Sequence, residues 1–300
     1  MNPILVIGVD SDPAIIHFTA ECMKRGVTPA TLNLRQVVAT GGWDLHVPEQ
    51  CTDRIWTGDH EIVLAEAGSI YCRLIDLGSV SAGPDEKAAW RGLTHSLHSW
   101  LSHTSNCVVN RPVSHHHNGA KALHEAYLAA LGFDVPESLS SSDISMLQEF
   151  VSRGRCIFKS NSGVRADARE IHPGDLGSYV PSQGPLHLQR LVEGYDVRAH
   201  VIGGRVIAVR VDASDVDYRV ARKGRELLTH DLPREIWSAI VSATAAQGLA
   251  FAGWDFKVDR DGRYWCLECN PMPGYSFYDR YADGMISEAL LDYLTSGGTA

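Results

Sequence analysis

Two mostly apolar segments near the C-terminus, residues 251–258 and 264–269, constrain the fold most strongly. Between them, residues 259–262 are polar and end in glycine, which is typical of a β-hairpin turn. A Gly-Gly pair connects two earlier apolar segments, 196–202 and 205–211, in the same way. A helical pattern lies between the two hairpins. The second half of the chain is therefore predicted to be α+β, with helices packed on an antiparallel sheet.

The later hairpin carries three side chains with oxygen ligands. Side chains alternate along a strand with a period of two, so Glu268 and Asn270 point to the same face. Asp255 lies on the partner strand and can reach that face too. Two carboxylates and an amide oxygen form a hard site that suits Mg²⁺. Considered alone, the hairpin is equally compatible with acidic residues on an exposed surface, because exposed acidic residues are common.

The N-terminal part of the chain predicts a small α/β unit. The apolar segment 4–9 is typical of a buried strand, and residues 10–13 are typical of a helix start, with apolar spacing over 15–25 before Gly26 ends the helix. This domain is expected to end near residue 112. Its remaining predicted elements are strands at 54–56, 69–74 and 107–110 and a helix at 87–102.

The segment between this domain and the first hairpin begins with a linker that contains His115, His116 and His117. Consecutive residues on a loop rarely converge on one ion, so a solvated linker is favoured over a metal site. Residues 138–143 are expected to lead into a helix that ends at Phe150. The other elements expected in the second half are helices at 119–131 and 233–247 and strands at 156–159 and 186–191.

Composition excludes some classes of function. The net charge of −9 argues against a nucleic-acid-binding protein, because a phosphate backbone is bound mainly by excess Lys and Arg. No segment approaches the roughly 18 apolar residues that span a membrane, and the N-terminus lacks a basic secretory n-region. The seven cysteines are scattered and odd in number, which favours reduced thiols in the cytoplasm.

The C-x-x-C pair Cys266 and Cys269 suggests redox or zinc chemistry at first sight. The two residues are an odd number apart on a predicted strand, so their side chains are expected to face opposite sides. No second pair at zinc spacing accompanies them. The glycine patterns of Ser hydrolases, Walker A loops and Rossmann folds are absent as well.

The spacing of Asp255, Glu268 and Asn270 resembles the metal-binding end of the ATP-grasp enzymes. The nearest subgroups are the RimK-like ligases and the ligases that cross-link ribosomal peptides of the graspetide (microviridin) type. The resemblance extends from about residue 110 to 278 and implies an α+β ATP-grasp fold. It implies these domains: an N-terminal pre-ATP-grasp domain, 1–112, and an ATP-grasp domain, 113–300, with a lid subdomain at about 134–192 and a C-terminal subdomain at about 193–300.

Several further motifs carry the resemblance. Lys121 matches a helix lysine that touches phosphate, Lys159 matches a strand lysine, and residues 160–165 match a small-residue phosphate cover. Residues 188–192 resemble the hinge strand that holds adenine through backbone groups, although Arg190 stands where the family often has Glu. The residues assigned to cofactor binding by the resemblance are Lys121, Lys159, Ser162, Gly163, Gln189, Arg190, Leu191 and Asp196.

The segment Asp196-Val197-Arg198 resembles the D-[IV]-R element of the family. Asp196, Arg198 and His200 share one face of their strand, where an arginine is well placed to hold a phosphate or carboxylate. A surface salt bridge of Asp196 is the simpler alternative. Two shorter matches, residues 217–219 and 70–73, resemble peptide-cross-linking ligases, and the first of them makes Arg219 a second catalytic candidate beside Arg198.

The resemblance implies an ATP-dependent carboxylate–amine ligase that uses Mg²⁺, with Mn²⁺ as the alternative ion. A substrate carboxylate attacks the γ-phosphate of ATP, and an amine then displaces phosphate from the acyl phosphate. The expected substrates are small-molecule or peptide carboxylates and amines, with no nucleic-acid or membrane partner, and a homodimer is a family-level expectation. Loops 160–167 and 217–230 are the lid candidates. A kinase-like phosphotransferase and a non-catalytic nucleotide-binding protein are the alternatives.

Overall fold

The computed structural model describes residues 3–58, 60–81, 83–112, 120–159, 169–212 and 226–299. Strands group into four sheets, and helices cover them, so the predicted mixture of helix and sheet is confirmed. None of the helices in these ranges is both long and apolar enough to cross a membrane.

The N-terminal part consists of the elements β1 (Ile4–Gly8), α1 (Pro13–Lys24), β2 (Ala30–Asn33), α2 (Leu34–Thr40), β3 (Gly41–Asp44), β4 (Arg54–Thr57), β5 (His60–Val63), β6 (Ser69–Cys72), α3 (Pro84–His103) and β7 (Cys107–Val109). Its strands form a parallel sheet with the order β2-β1-β6-β7 and a small antiparallel sheet with the order β3-β4-β5. Strand β1 is wholly buried, and the carboxylate of Asp12 accepts a hydrogen bond from the backbone of Ala14 and thereby caps α1.

The middle part consists of the elements α4 (Lys121–Ala130), β8 (Ser138–Ser141), α5 (Ile144–Ser152), β9 (Cys156–Lys159), β10 (Arg169–Ile171) and β11 (Leu186–Arg190). Its strands form an antiparallel sheet with the order β10-β9-β11-β8. One face of this small sheet packs on α5, with Phe150, Cys156 and Leu188 in the shared core. The other face carries the polar side chains described below.

The C-terminal part consists of the elements β12 (Tyr195–Ile202), β13 (Arg205–Asp212), β14 (Glu226–Thr229), α6 (Arg234–Ala246), β15 (Phe251–Val258), β16 (Tyr264–Asn270), α7 (Ser276–Tyr281) and α8 (Met285–Thr295). Its strands form an antiparallel sheet with the order β14-β13-β12-β15-β16. One face of this large sheet packs on α6 through residues such as Ala199, Ile240 and Trp254. The other face packs on α8, which in turn packs on α1, and these helices share one core with β1.

Two buried side chains join the N-terminal part to the large sheet. The amide of Asn110 donates to the backbone oxygens of Phe251 and Pro271, and its oxygen accepts from the backbone of Ala250 and Phe251. Arg73 donates to the backbone oxygen of Pro273 at 2.9 Å. These contacts fix the segment that follows β16 against the N-terminal part of the chain.

The expectation that Cys266 and Cys269 face opposite sides is wrong. Asp255 pairs with Glu268 and Phe256 pairs with Cys266, so Leu267 is an extra residue in a β-bulge. The bulge shifts the alternation by one residue, and both thiols therefore lie in the core under α6. Burial raises the pKa of both thiols, that of Cys269 to about 12, which keeps them protonated and unreactive.

Candidate functional site

A row of three charged side chains crosses the large sheet. Strand register places Arg198 of β12 opposite Asp255 of β15, and Asp255 opposite Glu268 of β16. Arg198 Nη1 donates to Asp255 Oδ2 at 2.6 Å, and both residues are buried. Glu268 is half-buried. Adjacent strands therefore bring one cation and two carboxylates to the same face, on the alternation that the sequence predicts.

Gly253 provides the space in which Arg198 lies. A Cβ atom at position 253 would lie 2.2 Å from Arg198 Nη2 and 2.7 Å from Pro273 Cβ. Neither distance is compatible with an ordinary contact. The absence of a side chain at this position leaves room for the guanidinium, which reaches Asp255.

His200 lies beside Arg198 on the same face and is fully buried. Arg198 Nε lies 3.4 Å from His200 Nε2, which accepts the hydrogen bond. The rings of Tyr278, Phe251 and Tyr275 surround the imidazole, with centroids 5.3, 6.2 and 6.5 Å away. Burial, together with the positive charge of Arg198, holds the pKa of His200 well below its usual value. The imidazole is therefore neutral and serves as an acceptor.

A second ion pair lies next to this row. Lys257 Nζ donates to Asp196 Oδ2 at 2.9 Å, and both side chains are buried. The register places these two residues opposite each other, two residues along each strand from the pair Arg198 and Asp255. Asp196 is therefore paired within the sheet, as the simpler sequence alternative has it, although its partner is buried.

The side chains at the end of the hairpin match what Mg²⁺ requires of its ligands. Asp255, Glu268 and Asn270 each offer oxygen as the ligand atom, and Asn270 Oδ1 also accepts from the backbone of Met272 at 2.8 Å. Within the described ranges, no three acidic, histidine or cysteine side chains converge as a self-sufficient metal site. An ion held here would complete its coordination with water and phosphate oxygens, which is usual for Mg²⁺.

The polar face of the small sheet carries a buried network. His187 and Gln189 point away from the α5 core, and Lys159 lies opposite His187 in the register. Gln189 Nε2 donates to Glu125 Oε1 at 2.8 Å, and His187 Nε2 donates to the same oxygen at 3.0 Å. Ser138 Oγ donates to Glu125 Oε2 at 2.5 Å.

Glu125 remains ionised in this network. Burial raises the pKa of its carboxyl, but hydrogen bonds from His187 and Ser138 and the positive charge of Lys159 lower this pKa by more than burial raises it. The net pKa of Glu125 is below its usual value. A carboxylate that is buried and charged beside Lys159 is an electrostatic partner for that lysine.

Helix α4 connects the two sheets. Lys121 is its first residue, and His124 Nε2 accepts a hydrogen bond from the backbone of Cys269, which lies between Glu268 and Asn270. The next residue of the helix, Glu125, binds the small sheet. Two consecutive residues therefore link the acidic hairpin to the strand that carries Gln189.

Arg190 is not brought to this polar face. Its guanidinium donates to Glu137 and to the backbone oxygen of Gly154, and lies 3.9 Å from the centroid of the Phe150 ring on the α5 side. Leu191 follows β11, where its backbone donates to Arg155. Gln189 is thus the one hinge side chain predicted from sequence that faces the network.

Comparisons with solved structures identify the fold. The structure matches the ATP-grasp ligase PsnB complexed with a precursor variant, Mg and ADP, with a TM-score of 0.83 and 24% identity over 100% of both chains. It matches the macrocyclase MdnC from Microcystis aeruginosa, bound with precursor peptide MdnA, with a TM-score of 0.82 and 19% identity over 98% of this chain and 99% of that one. It matches D-alanyl-alanine synthetase A from Vibrio cholerae with a TM-score of 0.66 and 10% identity over 100% of both chains.

The chain has the ATP-grasp fold. The sequence itself matches no protein-family model and no curated protein. The likeness therefore lies in the three-dimensional arrangement, and it confirms the fold that the motifs around Asp255 and Glu268 predict.

The ATP-grasp fold places the predicted site residues in two groups. Lys159, Gln189 and Arg190 lie on the small sheet, with Leu191 after its last strand and Lys121 at the start of α4. The residues on the large sheet are Asp196, Arg198, Asp255, Glu268 and Asn270. Ser162, Gly163 and Arg219 lie outside the described residues, as do the three consecutive histidines and most of both predicted lid loops.

Sequence reasoning missed Lys257, Glu125 and His187. Lys257 could have been found, because it lies two residues after Asp255 and so shares its strand face. Nothing in the sequence around Glu125 or His187 marks them, since a single acid in a helix usually faces solvent.

Proposed function

We propose that this chain is an ATP-dependent carboxylate–amine ligase that works through an acyl phosphate. The observation that carries the proposal is the row formed by Arg198, Asp255 and Glu268 on the large sheet. A fold alone does not decide function, but this fold with a cation beside two carboxylates is suited to phosphoryl transfer between anions. The division into a domain at 1–112 and an ATP-grasp domain at 113–300 belongs to the same proposal.

ATP is proposed to bind between the two sheets. Lys159 and Lys121 would neutralise phosphate oxygens, and Gln189 would face the base. Asp255, Glu268 and Asn270 would hold Mg²⁺, which supplies charge neutralisation of the phosphate oxygens. Electrostatic alignment is the main contribution that a protein makes to this type of transfer.

Arg198 is proposed to bind the transferred group. In the first step an oxygen of the substrate carboxylate bonds to the γ-phosphorus, and the bond to the β-phosphate oxygen breaks to release ADP. In the second step a deprotonated amine bonds to the acyl carbon and inorganic phosphate leaves. Negative charge develops on oxygen in both steps, so a cation held in a fixed position lowers both barriers. Asp255 and the neutral His200 keep the guanidinium in that position.

The substrate is proposed to be a peptide. PsnB and MdnC are complexed with precursor peptides, and the RiPP-associated ligase from Chryseobacterium gregarium with ADP, a leader and a core peptide. The last of these has a TM-score of 0.81 and 17% identity over 99% of this chain and 97% of that one. Peptide carboxylates and amines are accordingly the first substrates to test.

The test is release of ADP from Mg-ATP in the presence of pooled amino acids and peptides. We expect release that depends on an added acceptor and a product lighter by one water than its two reactants. Glu268→Gln should lower the rate on the order of a hundredfold, because it removes one charge from the row. Glu235→Gln is the matched control, since Glu235 is an exposed acid on α6.

Three outcomes would overturn the proposal. A product that retains the phosphate would identify a phosphotransferase. Equilibrium binding of ATP with no turnover under any acceptor would identify a nucleotide-binding protein without catalysis. ADP release that is equal in the parent and in Glu268→Gln would remove the acidic hairpin from the mechanism.

A further inference from the structure

Gln189 has a buried acceptor without a partner among the described residues. The residue is fully buried on the polar face of the small sheet, and its Oε1 makes no hydrogen bond there. Leaving such an oxygen unsatisfied is unfavourable in a native protein. An orphaned acceptor on this strand therefore indicates a ligand group that donates a hydrogen bond.

The direction of this amide is imposed by Glu125. An ionised carboxylate can only accept hydrogen bonds, so the NH₂ group of Gln189 must face Glu125 Oε1, at 2.8 Å. Turning the amide around would bring its carbonyl oxygen against the carboxylate. The Oε1 atom of Gln189 is accordingly forced to point away from Glu125, whatever ligand is present.

Glu125 is itself held in place from several sides. Ser138 and His187 both donate to its carboxylate, and Ser140 Oγ lies 2.7 Å from Nδ1 of that imidazole. The helix that carries Glu125 is fixed to the large sheet through His124 and the backbone of Cys269. The carboxylate is a rigid reference point, so the amide it orients is rigid too.

We propose that Glu125 is a positioning residue that makes the nucleotide site select adenine over guanine. The proposal rests on the proposed function, because it assumes that a nucleotide base meets Gln189. Adenine carries a donating amino group at C6, whereas guanine carries an accepting oxygen there. A fixed amide oxygen binds the first group and repels the second. Glu125 touches no substrate itself and acts through Gln189.

The test replaces Glu125 with Gln and compares the affinities for Mg-ADP and Mg-GDP by calorimetry. The introduced amide offers both a donor and an acceptor, so Gln189 can turn and present NH₂ to the guanine oxygen. We expect the dissociation constant of Mg-GDP divided by that of Mg-ADP to fall on the order of tenfold, mostly through tighter GDP binding. Glu137→Gln is the matched control, because Glu137 is an acid beside β8 that pairs with Arg190 on the opposite face.

Glu125→Met provides a second variant in case Glu125→Gln does not fold, and thermal melting of each variant checks its folding. The methionine variant removes the carboxylate that orients Gln189 and introduces no new donor, so it should also lower the preference for ADP over GDP. A variant that folds and keeps the parental preference would overturn the role of Glu125 while leaving the proposed ligase intact. A parent protein that binds both nucleotides equally would overturn it as well. A parent that binds neither nucleotide would overturn the proposed function together with this inference.

Discussion

Replacing Gly253 with alanine tests how the site holds its arginine. The new methyl carbon would lie 2.2 Å from Arg198 Nη2, whereas ordinary contacts begin at 3.4 Å. It would also lie 2.7 Å from Pro273 Cβ, so the methyl group cannot be accommodated by a shift toward that side. The guanidinium must therefore move by roughly 1 Å, which disrupts its 2.6 Å hydrogen bond to Asp255.

The consequence should appear in catalysis far more than in folding. A displacement of roughly 1 Å of a positioned group costs on the order of a hundredfold in rate. Overpacking of this kind costs about 1–3 kcal/mol of stability, which a folded domain usually survives. We therefore expect kcat for acceptor-dependent ADP release to fall about a hundredfold in a protein that still melts cooperatively.

Gly204→Ala is the matched control for this experiment. Gly204 lies in the turn between β12 and β13, where a Cβ atom would meet nothing within 4 Å. This variant should keep the parental rate. A rate for Gly253→Ala within about threefold of the parent would refute the reasoning, because it would show that Arg198 does not need this space or does not act in the reaction.

Three further predictions concern stability. Lys257→Met leaves the buried Asp196 unpaired and should lower the free energy of unfolding in urea by about 3–5 kcal/mol; a loss below about 1 kcal/mol would contradict a buried pair. Asn110→Ala removes contacts between the N-terminal domain and the large sheet and should cost about 3 kcal/mol, with separated melting of the two parts as the sign of uncoupling. His200 has a lowered folded pKa, so below its unfolded value of about 6.5 only the unfolded chain takes up this proton. As the pH decreases below about 6.5, the free energy of unfolding should therefore decrease by about 1.4 kcal/mol per pH unit, and His200→Phe should remove that slope.

Much of the large sheet could be predicted because its signals are local. The turn at 259–262 and the alternation of apolar and polar residues fixed which side chains of β12, β15 and β16 share a face. The register then followed from pairing these strands. Arg198, Asp255 and Glu268 lie in adjacent positions for that reason.

The elements that were missed depend on distant partners. Residues 138–141 were expected to lead into a helix, but Ser138–Ser141 forms a strand, because its backbone pairs with β11 and Leu139 packs on the α5 core. Its serines alone have little strand preference. Strands β2, β3 and β5 and the helix α2 are similarly short, and long-range pairing and packing stabilise them rather than local pattern.

The site was predicted in part, for a related reason. A single extra residue, Leu267, reversed the expected side of Cys266, and no local signal marks a bulge of one residue. The role of Glu125 depends on contacts with His187 and Gln189, more than 60 positions away in the chain. Such long-range polar contacts leave no periodic pattern in the sequence.

The most direct test of the central claim follows an oxygen atom through the reaction. A carboxylate substrate found in the ADP-release screen is labelled with ¹⁸O, and the inorganic phosphate released with Mg-ATP and the acceptor is analysed by ³¹P NMR. An acyl phosphate transfers one carboxylate oxygen to phosphate, so the account predicts one ¹⁸O atom per phosphate released. Product formation with unlabelled phosphate would contradict it, because the carboxylate would then not have been activated by phosphorylation.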